Sequence, residues 1–382
     1  MVDVVSKSRN QGKNENSVNL QADLNLSSPL QLVGHSFEFQ RIIEILAQDG
    51  DLLITGVPGS GRRTLVKGAA AEVNAIVLEI DCIRATEHQR FIQLLAEAIS
   101  QNWEAKKIQT WVQENASTFF SFDAENKLKI LQGLTEKQLW QAFINLLKLL
   151  ETITLDLNQR VVLILESFPH IRSWDRHGLW ETTFRQEIKT YPHVNYVLIA
   201  TIAESKQHHT DDGKYPIETI ELAPLAKDVL ALWAREILHR EGLTFDYRSQ
   251  ALQLFLDAVQ GHIGDGMAII RRLSLCKCSD NLITEEDIQK AIEGLLEDLS
   301  ITYESLLMLL PANQVHLLEC LALDPTDKPQ GKEYIHKHGL SRGGSLQGAL
   351  TGLQHKGLIY SAEQGYRLAM PLLALWLRER LK

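Results

Sequence analysis

Asp51-Leu-Leu-Ile-Thr-Gly-Val-Pro-Gly-Ser-Gly-Arg-Arg-Thr64 is the stretch on which the fold turns. Its first five residues are mostly apolar and short, as a strand covered on both faces requires. Gly56 to Arg63 then fits the spacing GxxxxGK[ST] of a phosphate-binding loop, with two substitutions. Gly56, Gly59 and Gly61 permit the tight turn that aims backbone N–H groups at phosphate oxygens, with Val57, Pro58 and Ser60 between them. Residues 65–73 predict a helix directly afterwards. The loop therefore stands between a strand and a helix, the context that the motif needs.

The side chains depart from the pattern. Arg62 replaces the lysine that reaches the β- and γ-phosphates, and Arg63 replaces the hydroxyl that holds Mg²⁺. Arginine keeps the charge but presents a planar fork instead of a compact cation. Thr64 lies one residue late for the metal. A second apolar strand, residues 161–165, ends in Glu166 and Ser167, where Asp and then Glu are expected. Glu166 is long enough to approach a metal-bound water, whereas Ser167 has no basic group for the attacking water. Three outcomes stay open: a loop that binds nothing, a nucleotide bound but hydrolysed poorly, and competent hydrolysis.

The whole chain of 382 residues predicts two or three domains. Its 45% hydrophobic and 23% charged residues are ordinary for a globular protein, which excludes a collagen-like or wholly disordered chain. The net charge of −9 excludes a uniformly basic surface for nucleic acid. Four cysteines, Cys82, Cys276, Cys278 and Cys320, make neither a disulfide framework nor a metal-finger spacing, so no metal centre is expected. Residues 1–28 are rich in Asn, Ser, Gln and Lys and read as a mobile tail without a leader segment. No apolar run reaches the length of a membrane span, so no membrane partner and a cytoplasmic location are expected.

Further strands are expected at residues 75–81, 196–200 and 217–222, and helices at 37–46 and 87–100. Residues 101–158 read as mostly helical, with Trp103, Trp111 and Trp140 as packing anchors. The pair His208-His209 reads as part of a solvated polar loop. From residue 226 the pattern is helical. The last eighty or so residues read helix, helix, helix and two short strands, the winged-helix order, with recognition helix 345–355 and a wing at 361–365.

Taken together, these motifs resemble AAA+ ATPases, in particular the archaeal-type ATPase clade related to STAND proteins and origin-recognition ATPases. Leu32-Val-Gly-His-Ser-Phe-Glu-Phe is similar to the "xVGRxxEL" box before the first strand, with His35 in place of the usual Arg. Residues 56–64 stand at Walker A and 161–168 at Walker B, both degenerate. Thr201 stands at sensor 1, Glu221-Leu-Ala-Pro-Leu225 at the hinge into a helical lid, and residues 261–273 at the sensor 2 helix. The resemblance implies an α/β P-loop NTPase fold, a parallel sheet with flanking helices, followed by an α-helical lid and a C-terminal winged-helix domain. The expected division is a tail over 1–28, a nucleotide-binding domain over 29–222, a lid over 223–300 and a winged helix over 301–382, with a protease-sensitive junction near 300–304.

The implied cofactor is ATP, with Mg²⁺, held by Gly56, Val57, Pro58, Gly59, Ser60, Gly61, Arg62, Arg63, Thr64, Glu166 and Thr201, and by Arg271 or Arg272 from the lid. Arg172, Arg176 and Arg185 follow Walker B, where some relatives place an arginine finger, but read better as surface charges. A homo-oligomer is a further implied partner. Residues 301–382 carry nine Lys and Arg against seven Asp and Glu, a net of +2, while the rest of the chain is −11. Gln347, Thr351, Gln354 and His355, with Arg342 and Lys356, are types that read bases or phosphates, although Glu363 on the wing is not. DNA and protein both remain as partners. Two functions stand: a nucleotide-dependent switch with weak or absent hydrolysis whose winged helix contacts DNA or a protein, and a pseudo-ATPase scaffold that binds partners without nucleotide.

Overall fold

The computed structural model describes residues 34–175, 177–202, 217–275, 281–341, 343–362 and 365–382. The expected tail, the His208-His209 loop, Cys276, Cys278, Arg176, Arg342 and Glu363 lie outside the described residues.

A five-stranded parallel sheet organises the first half. Its strands are β1 (Leu52–Gly56), β2 (Ile76–Asp81), β5 (Val161–Glu166), β6 (Val194–Thr201) and β7 (Glu218–Leu222), in the order β2-β5-β6-β1-β7. Strands β1, β5 and β6 are buried almost end to end, which explains their unbroken apolar runs. Alternate residues feed opposite faces, as the period of two demands. Leu52, Ile54, Val162, Ile164, Val197 and Ile199 pack with helices α1 (Ser36–Ala47) and α2 (Arg62–Glu72). Leu53, Leu163, Leu165, Tyr196 and Leu198 face α3 (His88–Asn102), α4 (Ala105–Asn115), α5 (Glu136–Leu157) and α6 (Leu179–Glu187).

The stretch expected to be mostly helical holds a hairpin, β3 (Phe120–Phe122) with β4 (Leu128–Ile130). Three-residue strands leave too short an alternation to detect. The buried Gln93 holds the hairpin to α3, accepting from the Ile130 N–H at 2.9 Å and donating to the Leu128 carbonyl at 3.3 Å. Trp103, Trp111 and Trp140 are half-buried against the same core.

The second half is helical: α7 (Lys227–Arg240), α8 (Ala251–Val259), α9 (Ile263–Leu275) and α10 (Glu285–Met308), with the short pair β8 (Thr244–Phe245) and β9 (Leu282–Ile283). It continues through α11 (Ala312–Leu323), α12 (Lys332–His338), α13 (Gly344–His355), β10 (Ile359–Ala362), β11 (Gly365–Leu368) and α14 (Pro371–Arg380). The division expected at 300/301 falls inside α10. Its buried face runs Ile288, Ala291, Ile292, Leu296, Tyr303, Leu307, so the helical period never breaks there. One core takes in Trp233 of α7, Phe255 of α8, Leu296 of α10, Leu353 of α13 and Trp376 of α14. Residues 300–304 lie within that packed helix.

Candidate functional site

Strand β1 delivers the loop to the C-terminal edge of the sheet, where α/β sheets bind ligands. Gly59 and Gly61 have φ of +78° and +84°, a region that a side chain adopts only with strain. A Cβ on Gly59 would touch Gly264 at 3.6 Å and one on Gly61 the Ile263 side chain at 3.6 Å, ordinary contacts, so the positive φ rather than crowding calls for glycine there. Gly56 is needed for the opposite reason: its Cβ would lie 2.7 Å from Ser60 Oγ and 2.9 Å from the Leu222 carbonyl. Ser60 Oγ is buried and has no hydrogen-bond partner, so a polar group is poised inside the loop. Val57 is core, with its carbonyl accepting from the Ser60 N–H at 3.2 Å.

The two arginines diverge. Arg62 donates to the Ala200 carbonyl at the end of β6. Arg63 turns to the other side and forks onto Glu79 of β2, with Nε 3.0 Å from Oε1, while the same Nε lies 3.9 Å from Glu166 Oε2. Lys67, one helical turn on, reaches Glu79 at 2.9 Å. Burial pushes the Glu79 carboxyl up, but the hydrogen bonds from Arg63 and Lys67 outweigh it and hold the group below the usual range. Asp81 stands opposite Glu166 in the β2–β5 register and accepts from the Ile83 N–H at 3.0 Å. Thr64 is exposed. Ser167 has φ +51° and opens a 3-10 turn.

The lid closes directly on the loop. Gly264 donates its N–H to the Gly59 carbonyl at 2.9 Å, and a Cβ on Gly264 would press to 3.1 Å from Gly59 Cα. His262 hydrogen-bonds the Pro58 backbone; proline has no N–H, so the imidazole donates to the carbonyl. Burial drives the pKa of His262 down to about 4, partly offset by that bond. The next residue along, Asp265, accepts from the Leu372 N–H in the first turn of α14 at 3.2 Å. Burial lifts Asp265 to about 6 against that hydrogen bond, and the Tyr303 phenol, itself pushed up by burial, faces it. His262 and Gly264 thus join the loop to α9, and Asp265 joins α9 to α14.

Thr201 pairs with Gly56 across β1 and β6, and the turn after α13 abuts it: a Gly357 Cβ would lie 3.5 Å from its Cγ2. The loop residues, Glu166 and Thr201 therefore share one edge of the sheet. Arg271 lies seven residues beyond Gly264 on the same face of α9, about 10 Å along the axis. Arg272 points away, paired with Asp298 of α10 at 2.5 Å. Arg172 and Arg185 both bind the buried Glu181, at 2.8 and 3.2 Å, as structural ion pairs. Sequence reasoning missed Glu79, Lys67, His262, Gly264 and Asp265. Glu79 alone had a signal, as an acid inside an apolar strand.

In the winged helix, Gln347 accepts from Gln330 and donates to Thr351 Oγ1 at 3.3 Å. Lys356 donates to Gln314 Oε1 at 3.1 Å. A cleft of about 1150 Å³ separates the wing, at Tyr360, Ser361 and Arg367, from the hinge at Pro224 to Lys227.

Phosphate groups fit the loop: left-handed glycines, an unpartnered buried hydroxyl and the N-terminus of α2 converge there. Mg²⁺ does not fit. The residue that should offer a hydroxyl is a guanidinium, and the strand-end carboxylate of Glu166 faces that guanidinium. Among the described residues, no group of three or more His, Cys, Asp or Glu side chains is placed to hold a metal ion, and no helix is long and apolar enough to cross a membrane.

Comparison with known proteins agrees with this architecture. Residues 301–379 match a family model described as a probable winged helix domain. No curated protein sequence matches the chain. Among solved structures, a Walker-type ATPase of Pyrococcus abyssi superposes with a TM-score of 0.62 at 15% identity, over 91% of this chain and 96% of that one. The ORC1 protein of Aeropyrum pernix, solved with DNA, gives 0.48 at 14% identity, over 91% and 94%. Cdc6p of Pyrobaculum aerophilum gives 0.47 at 15% identity, over 94% and 98%. The chain therefore has the fold of that Walker-type ATPase, and its residues 301–379 match the probable winged helix domain.

Proposed function

We propose that this protein is a nucleotide-dependent switch with weak or absent hydrolysis, whose winged helix contacts DNA or a protein partner. Its nucleotide-binding part covers residues 29–222, its lid 223–300 and its winged helix 301–382, the last two moving as a packed unit. The phosphates of ATP or ADP lie over residues 56–64, with Thr201 and Glu166 at the sheet edge and Arg271 approaching from α9. The observation that carries the reading is the chain of contacts Gly59–Gly264 and Asp265–Leu372. A ligand that reshapes the loop alters the seat of α9 and, through Asp265, that of α14.

Slow turnover follows from Ser167, which offers no basic group for water, and from a metal position held by Arg63. Thermal denaturation tests the binding. ADP or ATP at about 100 times its Kd stabilises the fold by about 2.7 kcal/mol, and amide exchange slows around Leu372. Turnover is near background in the unaltered chain and rises in the triple variant Arg62→Lys, Arg63→Thr, Ser167→Glu. Brisk hydrolysis by the unaltered chain contradicts the switch.

The scaffold reading, without nucleotide, draws on one observation: Arg62 is engaged with the Ala200 carbonyl rather than held over the loop. Absence of any stabilisation by ADP or ATP favours it.

A further inference from the structure

We propose that the site takes its nucleotide without a divalent cation, the Arg63 guanidinium occupying the place among the strand-end carboxylates where a metal would lie. The inference rests on the nucleotide reading above. Its chemical class of ligand is a nucleoside di- or triphosphate as the free anion.

Glu79 of β2 and Glu166 at the end of β5 both lie against Arg63, and Asp81 stands opposite Glu166 in the strand register. In a site that uses Mg²⁺, acids there hold the ion through its water shell, together with a hydroxyl from the first turn of the helix. Here the first turn sends Arg63 into the same acids, doubly onto Glu79 and at 3.9 Å from Glu166. Its pairing with Glu79 raises an affinity for the proton that is already very high, so the guanidinium is a permanent cation. Lys67 adds a second positive charge on Glu79 at 2.9 Å. Arg63 and Lys67 offset two of the three negative charges, so a single negative charge is left to draw a dication in.

Oxygen ligands are short as well. Asp81 already accepts a backbone N–H, and Thr64 lies about 100° further round the helix than position 63. A bound Mg²⁺ would have to evict Arg63 from both acids. The phosphate side is unaffected, because the glycine faces, Ser60 Oγ and the N-terminus of α2 do not depend on the metal.

Isothermal titration of the full chain with ADP and ATP, once in excess Mg²⁺ and once in EDTA, tests the proposal. The two dissociation constants are expected to agree within about twofold. Electron paramagnetic resonance with Mn²⁺ and ADP is expected to show no protein-bound ion. Arg63→Thr supplies the missing hydroxyl and frees Glu166, so its affinity in EDTA should fall at least about tenfold below that in Mg²⁺, with bound Mn²⁺ appearing. Arg63→Lys keeps a cation and should stay indifferent to EDTA. Thermal denaturation confirms that both variants fold.

Binding by the unaltered chain that weakens about tenfold or more in EDTA overturns the proposal and leaves the nucleotide reading standing. An Arg63→Thr variant still indifferent to EDTA removes Arg63 from the role and overturns it too. No binding of ADP or ATP in either medium overturns both, an outcome distinct from the first two.

Discussion

The phosphate loop and the outer face of α13 are both places where the chain carries residue types suited to a ligand, and they have fared differently. At the loop the ligand-facing groups belong to the backbone: the left-handed turns at Gly59 and Gly61 and the first turn of α2. On α13 they belong to side chains, and these have found each other, Gln347 with Gln330 and Thr351, Lys356 with Gln314. Backbone donors at a helix start have no intrahelical alternative, so they stay available for a ligand. Long polar side chains do have alternatives and satisfy themselves within the fold. The same contrast divides the loop internally, since the Arg62 and Arg63 side chains are both engaged while Ser60 Oγ has no hydrogen-bond partner.

The largest effect expected lies at the backbone side of this contrast. Gly261 has φ +88°, and a Cβ there would stand 2.5 Å from the Leu225 carbonyl and 2.8 Å from its nitrogen. Gly261→Val should cost about 3 kcal/mol or more, read as a lowered melting temperature, and should abolish stabilisation by nucleotide because the lid loses its seat on the loop. A variant as stable as the parent would mean that the hinge tolerates movement and that the loop–lid contact is incidental.

A smaller effect should come from Asp265, on which the coupling between the two regions depends. Its carboxyl titrates near 6 in the folded chain against 3.8 when unfolded, so the folded state binds the proton more tightly. Folding is therefore penalised above about pH 6, and the penalty fades as pH falls towards 4. The rise corresponds to roughly 3 kcal/mol at neutral pH. Asp265→Asn keeps an acceptor for the Leu372 N–H without the charge. It should raise neutral-pH stability by up to that amount and flatten stability between pH 4 and 6, although His262, neutral when folded, loses stability over pH 6.5 to 4 in both proteins. Unfolding curves across pH 4–8 check it; unchanged neutral stability would place Asp265 in water.

The smallest effect belongs to α13. Duplex binding by the chain, carried by residues 301–382, should be non-specific, with a slope of log K against log salt of about −3, and Gln347→Ala should move it less than about twofold. A tenfold loss with Gln347→Ala, or a preferred sequence, would show that Gln347 leaves its intramolecular partners to read bases.

The central strands were legible because they are buried on both faces and cannot hide their composition: 161–165 and 196–200 lie within observed strands, and 217–222 overlaps the edge strand Glu218–Leu222. The winged helix was legible by order alone, three helices and two short strands. The hairpin at 120–130 was not, since each strand offers three residues and a single buried face. Of the candidate site, the loop was read from spacing. Which way Arg62 and Arg63 turn depends on Ala200, Glu79 and Glu166, residues 16 to 138 positions away, and spacing within the loop carries no word of them.

The unbroken run of α10 from Glu285 to Met308 has a mechanical consequence. At 1.5 Å per residue its 24 residues form a stiff rod about 36 Å long, rooted among α8 and α9 and ending beneath α14. A tilt of about 5° at the rooted end would carry the far end through about 3 Å, the scale of a helix register change. Small adjustments where Gly264 meets the loop would thus be geared up into displacement of the C-terminal helices, with no hinge at residue 300 to absorb them.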